Sequence, residues 1–192
     1  MEMATRIQKR GFTLIELMVV VAILGVLAAL ATYGVRRYLT SSKTAEARSA
    51  VGRMAKDAAT SYQREIMNAS LLPPGGTTPV LNNFCDSATK AVPENLDDVK
   101  GRRYQSGLSE WRIDATTQGV GFACLGFFIM EPQYFRYTYT AEGVGTNDQG
   151  FTAVAEGDLD GNGISSRFVL RGVASSGVVR VAPAIEETNP DE

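Results

Sequence analysis

The sequence contains no histidine among its 192 residues, and it contains only two cysteines. Without histidine the chain cannot form a Ser-His-Asp triad, and it lacks the side chain that most often acts as a general base near pH 7. Two cysteines cannot supply the four ligands of a structural zinc site. The formal net charge is -2, whereas a nucleic-acid-binding domain normally carries a basic excess. These absences predict that the chain is not an enzyme, and its charge does not indicate a nucleic-acid partner.

One long stretch near the N-terminus has no charged residue, from Leu17 to Val35. As an α-helix it spans about 28 Å, close to the roughly 30 Å hydrocarbon core of a bilayer. A buried helix of a soluble protein rarely stays apolar on every face over such a length. We expect this segment to enter a membrane.

The leader before this stretch, residues 1–11, carries a net charge of +2, from three cations and one acid: Arg6, Lys9, Arg10 and Glu2. The positive-inside rule predicts that the leader stays cytoplasmic and that the chain beyond Val35 is exported. An ordinary secretory signal has its small-residue cleavage site after the apolar run. Here the small residue Gly11 precedes the run. Cleavage after Gly11 would remove the leader and leave the apolar segment on the mature chain.

Glu16 lies next to the apolar stretch, four residues after Phe12. An unpaired carboxylate costs roughly 2.5–3.5 kcal/mol at the centre of a membrane helix and less near its end. If the mature chain begins at Phe12, its new α-amine is a cation that Glu16 of a neighbouring copy could reach. That pair would neutralise both charges and set the axial stagger between subunits. The alternative is an interfacial Glu16 whose carboxylate extends to the lipid headgroups.

The segment Lys9-Arg10-Gly11, followed by Phe12-Thr13-Leu14-Ile15-Glu16, resembles the class III signal of type IV pilins and of their close relatives, the type II secretion pseudopilins. The resemblance implies cleavage after Gly11 by a prepilin peptidase and N-methylation of Phe12. It also implies self-assembly of the helices into a helical homopolymer, aided by the inner-membrane pilus assembly machinery. The precursor and subunit pool would lie in the inner membrane, and the filament on the cell surface.

The helix is expected to continue beyond the membrane. An apolar stripe at helical spacing extends through the next segment, at Ala47, Val51, Met54, Ala58 and Tyr62. The pattern predicts a helix from Thr13 to Met67, about 80 Å long, that stops before Pro73 and Pro74. The expected organisation is a cleaved leader over residues 1–11, a helical spine over 12–67 and a β-rich head over 68–192.

The rest of the chain indicates an α+β fold, with an antiparallel sheet packed against the amphipathic half of the spine. A long loop is predicted over residues 71–108, with one helical turn within Pro93–Val99. Alternating patterns predict six strands: Glu110–Asp114, Phe122–Met130, Tyr134–Ala141, Phe151–Glu156, Arg167–Arg171 and Val178–Ala182. The acidic tail, residues 186–192, is expected to be frayed.

Cys85 and Cys124 both lie in the part predicted to be exported, where disulfides form and persist. A bond between them would stabilise the head by roughly 4 kcal/mol in the chain-entropy model. Two unpaired thiols are the alternative, because sequence alone does not establish proximity.

The run Asp158-Leu159-Asp160-Gly161-Asn162-Gly163 matches the first half of a calcium loop. Asp158, Asp160 and Asn162 are the candidate ligands for Ca²⁺, although Val169 occupies the position of the bidentate acid. The other interpretation is a tight turn between two strands, built on Asp-Gly and Asn-Gly. We expect no required cofactor, and Ca²⁺ would be an addition to the turn.

Three functions remain open at the level of sequence. The first is a structural subunit of a type IV pilus, serving motility, adhesion or DNA uptake. The second is a type II secretion pseudopilin or a minor pilin. The third is a membrane-anchored, calcium-dependent binding module.

Overall fold

The computed structural model describes residues 11–66, 74–75 and 81–192. Helix α1 extends from Leu14 to Tyr62. The chain divides into two compact units, one ending at Leu39 and the other beginning at Thr40. In the first unit every described side chain is exposed.

In the second unit, α1 presents the predicted apolar stripe to a core. Ala47, Val51, Met54, Ala58 and Tyr62 are all buried, and they join one cluster with the aromatic side chains of the sheet. This confirms the helical spacing read from the sequence. Most helices in proteins are stabilised by burial of such an apolar face rather than by the intrinsic helix propensity of their residues.

The predicted C-terminus of the spine was wrong. Helix α1 ends at Tyr62, because Glu65–Ile66 forms strand β1 and pairs in antiparallel register with β2, Leu81–Asn82. Residues committed to this pairing cannot also continue a helix. Met67, the predicted last helical residue, and Pro73 lie outside the described residues.

A five-stranded antiparallel sheet forms the remainder of the core. Its strands are β3 (Arg136–Glu142), β4 (Asp148–Gly157), β5 (Ser166–Ser175), β6 (Val178–Val181) and β7 (Glu186–Thr188), in the order β3-β4-β5-β6 with β7 also paired to β5. On β3 the buried Tyr137 and Tyr139 alternate with half-buried or exposed residues, whereas β5 buries the consecutive residues Phe168, Val169 and Leu170. The fold is therefore α+β, a long N-terminal helix packed against an antiparallel sheet, as the sequence predicted.

Two predicted strands are absent from the described part of the chain and are replaced by short helices. Leu108–Trp111 forms α2 where a strand was expected at Glu110–Asp114. Gly121–Leu125 forms α3 where a strand was expected at Phe122–Met130. Glycines with positive φ begin and cap α3, Gly121 at 63° and Gly126 at 73°, and this left-handed geometry is incompatible with an extended strand.

Aromatic packing explains why the apolar residues of these two segments are buried although they form no strand. Trp111 packs edge-on against Phe122 and Phe127, with ring centroids 5.0 and 5.4 Å apart. Its indole N–H donates to the Ser106 hydroxyl at 2.9 Å. The predicted helical turn is present as a 3₁₀ turn over Leu96–Val99.

The acidic tail is not frayed throughout, which corrects the prediction. Strand β7 pairs with β5, placing Glu187 opposite Phe168. The Glu187 carboxylate also receives two hydrogen bonds from the Arg48 guanidinium on α1, at 2.7 and 3.0 Å. The tail therefore joins the sheet to the helix.

Candidate functional site

The start of α1 is built around a reciprocal pair of residues, Thr13 and Glu16. The Glu16 Oε2 atom accepts hydrogen bonds from the Thr13 backbone N–H at 2.8 Å and from the Thr13 hydroxyl at 2.7 Å. In return, the Glu16 backbone N–H donates to Thr13 Oγ1 at 3.3 Å. This arrangement is a capping box, which satisfies donors that the first turn of a helix leaves without partners.

Thr13 was missed by the sequence reasoning, although its signal was present. The spacing of Thr13 and Glu16 is the T-x-x-E pattern of a capping box immediately before an apolar run.

The two residues at the predicted cleavage site precede the helix. Gly11 and Phe12 lie outside regular structure and are exposed, Phe12 to 87%. A protease active site needs an accessible segment outside regular structure, and Gly11 and Phe12 meet that requirement. The α-amine that cleavage would create lies one residue before the capping box.

Helix α1 is long and apolar enough to cross a membrane, and none of its apolar window is buried. The side chains from Leu14 to Leu39 are exposed, including large ones such as Ile15, Leu24 and Leu30. Such a surface is normally covered by lipid or by other protein.

Comparison with known protein families identifies the N-terminal segment. Residues 6–32 match the prokaryotic N-terminal methylation motif, the class III signal. The chain carries the signal of a type IV pilin-like prepilin. No curated protein and no solved structure is significantly similar to it. The apolar helix and the motif together fit the membrane anchoring of a pilin.

In the second unit, Cys85 and Cys124 form a disulfide with their Cα atoms 5.8 Å apart. Cys85 follows β2 and is 1% exposed, while Cys124 lies in α3. The bond attaches the chain after β2 to the segment that packs around Trp111. The described residues contain no free cysteine.

The candidate calcium ligands lie together in the loop between β4 and β5. Asp158 accepts the backbone N–H groups of Gly161 and Gly163 at 2.7 and 2.8 Å. Asp160 accepts the backbone and side-chain N–H groups of Asn162. Each of these acceptors already has a donor within the loop, which supports the tight-turn interpretation.

The charge of Asp158 is stabilised inside this loop. Asp158 is only 2% exposed, and Lys100 Nζ lies 4.0 Å from Asp158 Oδ2. Desolvation opposes ionisation, but the N–H groups of Gly163 and Gly161 and the Lys100 cation outweigh it, and the pKa of the Asp158 carboxyl is lowered.

A second carboxylate, Glu46, joins α1 to the beginning of the sheet. Its Oε1 atom accepts the Tyr134 backbone N–H and the buried Tyr137 hydroxyl, both at 3.0 Å. Desolvation raises the pKa of the Glu46 carboxyl, against the opposing effect of those hydrogen bonds and of Arg103. Sequence reasoning did not single out Glu46, since an isolated acid on a helix surface is usually solvated.

Proposed function

We propose that this pilin-like prepilin is a structural subunit of a type IV pilus, which polymerises through its N-terminal apolar helix into an extracellular filament. The observation that carries the proposal is an uninterrupted exposed apolar helix beginning three residues after the Gly11 cleavage position. A simple membrane anchor needs neither a processing site in front of the span nor a carboxylate in its first turn.

The proposal has three steps. A prepilin peptidase cleaves after Gly11 and Phe12 is N-methylated. The mature subunit then waits in the inner membrane with its helix in lipid. On assembly, the same apolar surface moves from lipid to the helices of other copies, and Glu16 pairs with the Phe12 α-amine of an adjacent one. Exchange of one apolar environment for another makes the transfer of a helix this long thermodynamically reasonable.

The experiment is intact-mass analysis of filaments sheared from the cell surface. We expect the mass of a chain that begins at Phe12 and carries one additional methyl group. Gly11→Val should block processing, because a branched side chain replaces the hydrogen of glycine at the scissile bond, and the leader should then remain attached. Sheared protein that retains residues 1–11 would contradict the proposal.

The abundance of the protein in sheared filaments distinguishes a major pilin from a type II secretion pseudopilin or a minor pilin. A major pilin is the principal protein of sheared filaments, whereas a pseudopilin or minor pilin is a trace component or remains with the cell envelope. Motility, adhesion and DNA uptake are proposed uses of the filament, each tested by deletion of the gene.

A further inference from the structure

The apolar part of α1 ends in a group of four polar-tipped side chains, which we name the arginine belt: Tyr33, Arg36, Arg37 and Tyr38. All four are exposed, Tyr33 to 68% and Tyr38 to 73%. Tyr33, Arg36 and Arg37 share one helix face, because residues three and four apart are neighbours on a helix. Tyr38 lies on an adjacent face.

The position of the belt matches the thickness of a bilayer. Twenty residues separate Glu16 from Arg36 on one continuous helix, and a rise of 1.5 Å per residue gives about 30 Å, the thickness of the hydrocarbon core. With Glu16 at one interface, the two guanidinium groups therefore reach the headgroups of the other. Tyrosine side chains favour that same interfacial layer.

Processing would change which end of the span carries cations, a step that rests on the proposed function. The leader contributes Arg6, Lys9 and Arg10 on one side of the span, and cleavage after Gly11 removes all three. That end then retains one α-amine and the Glu16 carboxylate, whose charges cancel. Arg36 and Arg37 become the basic side chains that border the mature span.

We propose that Arg36 and Arg37 bind the phosphates of anionic phospholipids at the exported face of the membrane and hold the mature span at this depth before assembly. A guanidinium group offers paired N–H donors that match phosphate oxygens. One basic side chain near an anionic surface changes a binding constant by about fivefold.

The test uses purified mature chain, beginning at Phe12, in phosphatidylcholine vesicles. Tyr38→Trp places an indole in the belt as a fluorescent reporter. A fixed minor fraction of the lipid carries bromine near the headgroup, on phosphatidylglycerol in one sample and on phosphatidylcholine in the other. Trp111 is 1% exposed, so brominated lipid cannot contact it and it provides an unquenched reference. We expect stronger quenching by brominated phosphatidylglycerol.

Variants assign this preference to the belt. Arg37→Gln should lower the relative binding constant for phosphatidylglycerol by about fivefold, and the double change Arg36→Gln/Arg37→Gln should lower it further. Lys56→Gln is the matched control, because it removes one exposed cation outside the unit that ends at Leu39 and should leave the preference unchanged.

Three results would overturn the proposal. The first is equal quenching by the two brominated lipids with the arginines intact. The second is a preference that survives the double change. The third is a combination of two observations: the cysteine of Arg37→Cys crosslinks to an acidic segment of a second copy in filaments, and the vesicles show no lipid preference. That combination would assign the belt to contacts between subunits. Because vesicles require no assembly, failure of the pilus proposal would leave the quenching result intact.

Discussion

Glu16 and Thr13 form a closed pair at the start of α1, in which the Glu16 carboxylate accepts two hydrogen bonds from Thr13 and its backbone N–H returns one. Glu16 therefore has a partner within its own chain before any second copy arrives. Its partial satisfaction lowers the energy needed to hold a carboxylate at the edge of lipid. Assembly, as proposed, adds the α-amine of a neighbouring Phe12 to this pair.

Substitutions at Thr13 and Glu16 should separate the capping role from the assembly role. Glu16→Ala should give membrane protein that is inserted and cleaved normally but forms few or no filaments. The variant removes the carboxylate that would pair with the Phe12 amine of a neighbouring copy, and with it the contact that would set the axial stagger between subunits. Glu16→Asp should be intermediate, since it is one methylene short. Electron microscopy counts the filaments, and immunoblotting measures the membrane pool.

Thr13→Val is the matched control for these variants. It removes the hydroxyl and weakens the helix start by about 1 kcal/mol, but it retains the Glu16 charge, so filaments should persist. If Thr13→Val and Glu16→Ala gave the same loss, Glu16 would act only as a cap. Wild-type filament numbers in Glu16→Ala cells would contradict the pairing hypothesis.

Removal of the disulfide should destabilise the second unit by about 4 kcal/mol, the chain-entropy value for a loop of this length; the bonded residues are 39 apart. The paired variant Cys85→Ser/Cys124→Ser should show this loss in chemical denaturation. Thiol labelling of denatured, unreduced wild-type protein provides the control and should modify neither Cys85 nor Cys124. Labelling of both would show that the bond is not formed in the cell.

Glu46 should make stability depend on pH in a defined direction. Its folded-state pKa is raised above the ordinary 4.5, so the native state binds the proton more tightly than the unfolded state. The contribution is fully present below pH 4.5 and is lost as pH rises through the folded pKa. Glu46→Gln keeps an acceptor for Tyr134 and Tyr137, and should remove this dependence while preserving the fold.

Glu46→Ala should behave differently from Glu46→Gln. It leaves the buried Tyr137 hydroxyl without an acceptor, which should cost about 1–3 kcal/mol. Denaturation curves across pH for the wild type and both variants measure the difference. Identical pH profiles for wild type and Glu46→Gln would show that Glu46 is solvated in the native state.

The loop at Asp158 should owe its order to hydrogen bonds within the turn. Asp158→Ala removes the acceptor for two partly exposed backbone N–H groups and should lower stability by about 0.5–1.5 kcal/mol per hydrogen bond. Because the folded pKa of Asp158 is lowered, its contribution is present above the ordinary 3.8 and is lost as pH falls through the folded pKa.

Thermal unfolding with Ca²⁺ and with chelator tests the remaining interpretation of this loop. If the loop is only a tight turn, we expect the midpoint temperature of unfolding to be the same with Ca²⁺ and with chelator. A midpoint raised by Ca²⁺ in wild type, and no longer raised in Asp160→Ala, would instead support the calcium hypothesis, since a ligand that binds only the native state stabilises it by mass action.

The N-terminal signal, the apolar segment and the helical stripe were all readable from sequence. Each depends on residue types at short, regular spacing: Gly11 before Phe12, Glu16 four residues on, and Ala47 to Tyr62 at helical period. The three longest strands were predicted from short apolar runs bounded by turn residues, and the alternation is regular in β3, where Tyr137 and Tyr139 are buried.

Tertiary structure alone decided the rest of the head. A short apolar run such as Phe122–Met130 has the same local pattern in a strand, a helix or an aromatic cluster, and contact with Trp111 selects between them. The pairing of β7 with β5, the contact of Glu187 with Arg48, and the proximity of Cys85 and Cys124 are all long-range. The energy that determines them comes from residues distant in the chain, so no local pattern records it.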